Sequence, residues 1–439
     1  MKKITCIFLV VLVVFLTSCE NNETDSERSN DKTEEIVENN EPNEVDTYQE
    51  DQFILTIEQA ITDYQFMWGF FEEKLPSFSL LERVRGIDID EVKEEGLEFL
   101  ALYENDLISI RDFHHFLTQH LMVFIPTFHL SVVDGGLSEF MLHPDNLSLF
   151  FDDVIFDLEW TQTVYHHLFP WIEIETSEME DQPTSPRPWL RIINDYTAVI
   201  NIPSFSMFDH ESEELHQLYL SFYEEATALG IENLIFDVSQ NGGGNTRHWG
   251  EHIVAPNIEE EVFFERLVLT RDSQTIIDYI GFWIDLWYGK TIELRPISER
   301  QFEIKQPEDL YELGLYVFIE DSIQPNHNRA PAFEGNFFVL IDGLSFSTSD
   351  TFASFVYQTG FATLIGRPTS GAGIGIQPMT FSLPESGLLV RFDACYGVNA
   401  DGSANQEIGT SPHYFSEGDE NPLRTVLRII EERRLLEQE

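Results

Sequence analysis

Between Phe337 and Ile376 the chain reads FFVLIDGLSFSTSDTFASFVYQTGFATLIGRPTSGAGIGI, and this stretch constrains the fold more than any other. The apolar run Phe337 to Ile341 has the length of a buried strand, the Gly/Ser-rich residues after it form a turn, and the apolar-periodic residues that follow form a helix through Tyr357. A strand-to-helix corner of this kind exposes one hydroxyl beside backbone N–H groups that the first helical turn leaves unpaired. Ser, Thr and Asp between Ser345 and Asp350 are equally suited to cap that helix.

A second strand-to-turn unit lies upstream. Leu234 to Val238 reads as a buried strand running into Ser239-Gln240-Asn241-Gly242-Gly243-Gly244. Glycine in regular structure is destabilising by about 0.5–1 kcal/mol relative to alanine, so three in a row suggest positive-φ geometry or a close backbone approach. The phosphate-cradling patterns GxxxxGK[ST] and GxGxxG are absent from this turn.

Together the two units resemble the tail-specific (C-terminal processing) peptidase family, whose relatives include the core of tricorn protease. Members carry a strand ending in a D-x-R-x-N-G-G-G-like turn, then an S-A-S-x-x-[DE]-x-F serine corner followed by G-x-x-T-x-G. The corresponding residues are Asp237 to Gly244, Ser345 to Phe352 and Gly366 to Gly371. The resemblance runs from about Asp51 to the C-terminus and is loosest over 137–189 and 256–332. It implies Ser347 as nucleophile and the N–H groups of Gly242 and Gly243 as oxyanion donors.

The sequence departs from the better-known branch at one position. That branch uses a Ser/Lys dyad, and the lysine position is Ala372; beyond residue 51 the only lysines are Lys74, Lys93, Lys290 and Lys305. The tricorn-like branch instead uses an early His as base and a late Glu to orient it. Pro126-Thr127-Phe128-His129-Leu130-Ser131 resembles the early D-x-H-T turn, and Gln406-Glu407-Ile408-Gly409-Thr410-Ser411-Pro412 resembles the late E-x-G-x-x-P-D element. The implied triad is Ser347, His129 and Glu407, in which an imidazole with a pKa near about 6.5 takes the serine proton and a carboxylate fixes its tautomer. Asp350 reads as an N-cap or first-turn carboxylate.

No metal site or cofactor is expected. His114-His115 and His166-His167 are adjacent pairs whose side chains diverge. His248 and His252 share a helical face, but the intervening HWGEH lacks the HExxH glutamate and has no third ligand nearby, so the pair reads as structural.

The first residues bear on location. Lys2 and Lys3 precede an apolar run from Ile7 to Leu16, too short for a comfortable span and suited to a signal h-region. Leu16-Thr17-Ser18-Cys19 resembles a bacterial lipobox, which implies a signal peptide over 1–18 and a lipid-modified Cys19. The alternative is an uncleaved anchor, and in both cases the body faces outward from a membrane. Cys395 is then the one cysteine of the folded region, so no intrachain disulfide is expected. The core must supply stability, and with 42% hydrophobic residues and 36 phenylalanines it has the material.

Residues 19–51 are nearly devoid of apolar side chains and read as an acidic tether. The formal net charge of −53 argues against nucleic acid or an anionic membrane surface as partner. Three helical patterns, near 53–73, 90–105 and 109–124, form an N-terminal helical subdomain over 52–134. Residues 135–190 show no convincing PDZ loop and are expected to form a small β-rich connector. Strand and helix then alternate over 191–439, with strands at 197–202, 234–238, 337–341 and 362–365, and with helices at 211–229, after the glycine turn, from the serine corner through Tyr357, and at 425–436. This pattern indicates an α/β domain with a largely parallel sheet, and the resemblance implies its crotonase/ClpP-like form. An insertion at about 256–332 brings Trp283, Trp287, Tyr288, Tyr311 and Tyr316, expected to be mostly buried.

The functional expectation is a membrane-anchored extracytoplasmic serine peptidase acting on a peptide or unfolded protein. The alternative is a catalytically inactive peptide-binding or scaffold lipoprotein of the same fold.

Overall fold

The computed structural model describes residues 50–103, 106–124, 127–143, 146–147, 156–170, 186–205, 213–326 and 331–437. The signal segment, Cys19, nearly all of the tether and Pro126 lie outside the described residues. No described helix is long and apolar enough to cross a membrane.

The N-terminal region consists of β1 (Ile54–Thr56), α1 (Ile57–Lys74), α2 (Phe78–Arg85), α3 (Ile89–Leu100), β2 (Leu107–Ser109) and α4 (Ile110–Leu121), with β1 and β2 paired antiparallel. Its caps are sequence-local. Thr56 and Gln59 form a reciprocal capping box on α1, and the side chains of Ser77, Asp88 and Ser109 accept N–H groups of α2, α3 and α4. Helix α2, eight residues ending at Gly86, is too short to show as a periodic pattern.

After β3 (Ser131–Val132), the expected β-rich connector is helical in its described residues, which form α5 (Gly135–Leu142) and α6 (Leu158–Leu168). Asp134 and Asp157 cap these helices. Here β3 finds its strand partners more than 250 residues away, so a connector read locally misses the sheet.

The core follows as β4 (Trp189–Asn194), β5 (Thr197–Asn201), α7 (Glu213–Ala228), β6 (Asn233–Asp237) and α8 (Thr246–Trp249), which continues into a π turn over Gly250–Val254. The insertion contributes β7 (Val262–Thr270), α9 (Gln274–Tyr288), β8 (Arg295–Pro296) and β9 (Leu315–Ile323). The chain closes with β10 (Asn336–Ile341), α10 (Thr348–Thr359), β11 (Thr363–Gly366), β12 (Met379–Ser382), β13 (Leu389–Phe392), β14 (Tyr396–Val398), α11 (Asn405–Ile408), β15 (Tyr414–Phe415) and α12 (Pro422–Glu437).

Six strands form the central sheet in the order β15-β11-β10-β6-β5-β4, parallel throughout except for the edge pair β4–β5. Period-two alternation divides its side chains between two faces. Leu234, Phe236, Val339 and Ile341 pack with Tyr219, Phe222, Phe352 and Phe355 of α7 and α10. Ile235, Phe338 and Leu340 pack with Val426, Ile429 and Ile430 of α12. This is the α/β core with a largely parallel sheet that the alternating pattern predicts.

Two smaller sheets flank it. One, in the order β14-β7-β9-β8, is antiparallel and carries the insertion. There Trp283 and Tyr316 are buried, whereas Trp287 and Tyr311 are exposed. The other, β12-β13-β3, joins the chain's late hairpin to the strand just after His129.

Candidate active site

Strands β6 and β10 are parallel neighbours, with Val339 opposite Phe236 and Leu340 opposite Asp237. Their C-terminal ends therefore deliver the glycine turn and the serine corner side by side, where open α/β sheets place ligands. Two hydrogen bonds fix the pair: buried Ser345 Oγ donates to the Val238 carbonyl (2.8 Å) and Phe346 N–H to the Asn241 carbonyl (3.1 Å).

At the corner Ser347 has φ 57° and ψ −119°. A non-glycine residue in such a conformation is strained by about 1–3 kcal/mol, which the surrounding contacts must overcome. The restraints are visible: Ser347 N–H donates to the Gly371 carbonyl, and Thr351 N–H donates to the Ser347 carbonyl, each at 3.0 Å. Ser347 occupies the N-cap position of α10, yet its side chain makes no capping bond. Its hydroxyl has no hydrogen-bond partner among the described residues. Thr348 N–H opens the helix and is one of the donors that a first turn leaves without an intrahelical acceptor.

The three glycines do separate jobs. At Gly244 (φ 135°) a Cβ would lie 1.4 Å from the Phe205 carbonyl oxygen, and at Gly243 (φ 111°) it would lie 2.9 Å from the Ser347 Cβ. Both serve close approach. Gly243, expected as an oxyanion donor, instead gives its N–H to Asn241 Oδ1 at 2.9 Å. The N–H of exposed Gly242 has no partner among the described residues.

His129 reaches the same place from the other direction. Phe128 and His129 have φ of 53° and 50°, a consecutive left-handed pair in the turn Thr127–His129. In the β3–β13 ladder Arg391 lies opposite Ser131 and Val390 opposite Val132. Continuing that register by one side-chain repeat sets Asp393 opposite His129. Asp393 N–H duly donates to the Phe128 carbonyl (2.6 Å), and His129 Nδ1 lies 2.8 Å and 2.9 Å from the two Asp393 carboxylate oxygens. A carboxylate on Nδ1 holds the proton there and leaves Nε2 as an acceptor. Both side chains are nearly buried, at 7% and 8% exposure. The imidazole packs on Phe346, the residue before Ser347, with ring centroids 4.5 Å apart. His129, Ser347 and the glycine turn line one cleft of about 1410 Å3.

The sequence-predicted carboxylate is elsewhere. Glu407 accepts from Arg83 through Nε (3.1–3.2 Å) and Nη2 (3.0 Å), and the same guanidinium pairs with buried Asp309. Tyr396 Oη donates to Asp309 as well (2.7 Å). These pairings with Asp309 and Glu407 hold the Arg83 guanidinium well above its ordinary pKa against the opposing effect of burial. Helix α11 does pack on the turn that carries His129, so the late element is in the right neighbourhood. Its carboxylate, however, faces a cation, while the imidazole faces Asp393. Only the long-range ladder between β3 and β13 points to Asp393.

Residues 196–415, half of the chain, match Peptidase family S41. The chain belongs to that family. Among solved structures, mature CPAF is 13% identical over 82% of this chain and 92% of its own, with a TM-score of 0.51. CPAF complexed with lactacystin is 13% identical over 82% and 94%, at 0.50. A lipoprotein from Streptococcus agalactiae is 12% identical over 85% and 97%, at 0.41. At such identities the likeness is one of fold. No curated protein matches the chain.

Within this S41 chain, Asp350 is a buried anchor in the first turn of α10. Its carboxylate accepts from Thr369 Oγ1 (2.5 Å), Thr410 N–H (3.1 Å), Gly373 N–H (2.9 Å) and Asn405 Nδ2 (2.8 Å). It thereby ties the serine corner to the 369–373 loop and to α11. Ala372, at the lysine position of the Ser/Lys branch, has φ 62° and lines the cleft. Lys74, Lys93 and Lys305 are in ion pairs. Lys290 lies exposed on the cleft wall. His248 and His252 are buried, and His248 Nε2 lies 2.9 Å from Tyr219 Oη.

Proposed function

We propose that this chain is a serine endopeptidase that cleaves peptide bonds through an acyl-enzyme on Ser347. In this reading His129 Nε2 takes the proton as Ser347 Oγ attacks the substrate carbonyl carbon. Asp393 holds the imidazole and stabilises the imidazolium. The N–H groups of Gly242 and of Thr348, the residue after the nucleophile, receive the oxyanion. His129 then protonates the leaving amine as the C–N bond breaks, and water, deprotonated by the same imidazole, releases the acyl group.

One observation carries the reading. A strained serine whose hydroxyl serves neither cap nor fold shares a cleft with a histidine that packs on the preceding residue, Phe346, and whose Nδ1 is already committed to a carboxylate. A helix-capping role would have used that hydroxyl on α10. The wild-type chain should cleave a denatured protein and Ser347→Ala should not, with both melting at the same temperature. Equal turnover by the two would refute the assignment.

The Leu16-Thr17-Ser18-Cys19 pattern supports attachment of this peptidase through lipid on Cys19, with the body outside the cytoplasm. Palmitate incorporation that is lost in Cys19→Ala is the expected result. Incorporation that persists in that variant would contradict it.

A further inference from the structure

The cleft contains a guanidinium that the proposed reaction does not use. Arg391 lies on β13 between Leu389 and Asp393, all three on one face by period-two alternation. The opposite face, Val390 and Phe392, packs into the core beneath α1. Leu389 packs beside Trp283 and Asp393 holds His129, so Arg391 stands on the cleft side of the strand and lines the cleft with both His129 and Trp283.

Among the described residues the Arg391 guanidinium has no hydrogen bond and no ion pair, its backbone alone being paired in the sheet. Its nearest carboxylates are otherwise engaged: Asp393 accepts from His129 Nδ1, and Asp134 accepts the Leu137 N–H that begins α5 (2.9 Å). Burial pushes the guanidinium below its ordinary pKa, with Asp393, Tyr279 and Asp134 partly offsetting this. A half-buried guanidinium with no protein acceptor presents forked donors to the cleft, which a planar two-oxygen ligand matches. Buried Arg266 in the same cleft is differently placed, because it already donates to the Gly375 carbonyl (2.6 Å) and to Tyr288 Oη (2.5 Å).

Local charge agrees. A chain with 25 basic and 78 acidic residues lines this cleft with Arg247, Arg266, Lys290 and Arg391 against Glu251, Glu320 and Asp321. An anionic group therefore meets here a site unlike the rest of the surface.

We infer that Arg391 is a specificity-determining residue that binds a carboxylate of the peptide substrate close to the bond cleaved. The inference rests on the peptidase reading for what occupies the cleft. Two residue steps along the chain separate Arg391 from Asp393, a distance of about 7 Å at roughly 3.4 Å per residue. The carboxylate accordingly belongs within about two residues of the scissile bond. An acidic side chain and a free C-terminus offer the same chemistry, and the experiment separates them.

The test uses the full chain carrying Ser347→Ala, so that binding is read without turnover. Fluorescein-labelled hexapeptide pools with Glu or Gln fixed at one position, each with a free or an amidated C-terminus, are titrated by anisotropy. A charge-assisted, forked contact predicts about 10- to 100-fold tighter binding of the carboxylate form at one position or at the C-terminus. Adding Arg391→Gln should erase that ratio, and Arg391→Lys should retain part of it. Glu and Gln pools that bind alike at every position, together with free and amidated termini that bind alike, would overturn the inference before any change at residue 391. A ratio that survives Arg391→Gln would overturn it too. Failure of wild-type Ser347 to react with a fluorophosphonate would strike the peptidase reading instead, while the binding ratio would still report on Arg391.

Discussion

The two sides of the cleft are built in opposite ways. The serine side rests on adjacent parallel strands, and its chemistry sits in two short turns, 239–244 and 342–347, each directly following a buried strand. The histidine side rests on an antiparallel ladder between β3 and β13, whose paired residues are about 260 positions apart in the chain. The two sides also stand on separate cores. Val339, Ile341 and Phe352 belong to the cluster under α7 and α10, whereas Val132, Val390 and Phe392 belong to the one under α1. The corner serine is thus set by local backbone geometry, while the histidine and its carboxylate depend on how two distant segments register.

The comparison can be broken first at the serine side. Ser347→Ala should lower kcat by about 10⁵–10⁶ with no change in melting temperature, since its hydroxyl supports nothing in the fold. A loss below about tenfold would remove Ser347 from the chemistry. On the histidine side Asp393→Asn should lower kcat by about 10³–10⁴ through the wrong imidazole tautomer. Glu407→Gln should lower it less than about tenfold and act mainly on stability through Arg83. Reversed effects in this pair would return the orienting role to the sequence-predicted residue.

Backbone packing sharpens the contrast. Gly244→Ala would drive a methyl into the Phe205 carbonyl and should destabilise the chain by about 3–5 kcal/mol in denaturant melts. An unchanged midpoint would show that the glycine turn is looser than its geometry implies.

The smallest effect concerns pH and the histidine side. The turn between β12 and β13 is held by Asp63 of α1, whose carboxylate accepts the N–H groups of Glu385 and Ser386, both at 2.8 Å. Burial pushes this carboxyl up to about 6 against the pull of those donors. The folded state thus favours the protonated form. The stabilisation is complete below the unfolded-state value of about 3.9 and is lost as pH rises through about 6. From pH 3.5 to 7 the stability of wild type relative to Asp63→Asn should fall by about 2–3 kcal/mol. A difference independent of pH would contradict the assignment.

What the sequence revealed follows the same division. The strands at 234–238 and 337–341, the helices around them and the placement of Ser347 beside the glycine turn were legible because each is written in contiguous residues. His129 was legible as a residue type in a recognisable turn, and α11 as a segment near it. Asp393 was not, because a ladder register across about 260 positions leaves no mark in a single sequence. Glu407 drew attention by its motif, but the side chain that meets it, Arg83, comes from a helix too short to announce itself. The N–H of Gly243 was misassigned for a related reason: its acceptor, Asn241 Oδ1, depends on a side-chain rotamer inside the turn.

The central claim is that Ser347 is activated by His129 in the grip of Asp393. Its most direct test is the rate of covalent fluorophosphonate labelling at Ser347, mapped by mass spectrometry, in Asp393→Asn compared with Glu407→Gln. The account predicts labelling slowed by about 10³ in Asp393→Asn and close to the wild-type rate in Glu407→Gln. Rapid labelling of Asp393→Asn, or an adduct on any serine other than Ser347, would contradict it.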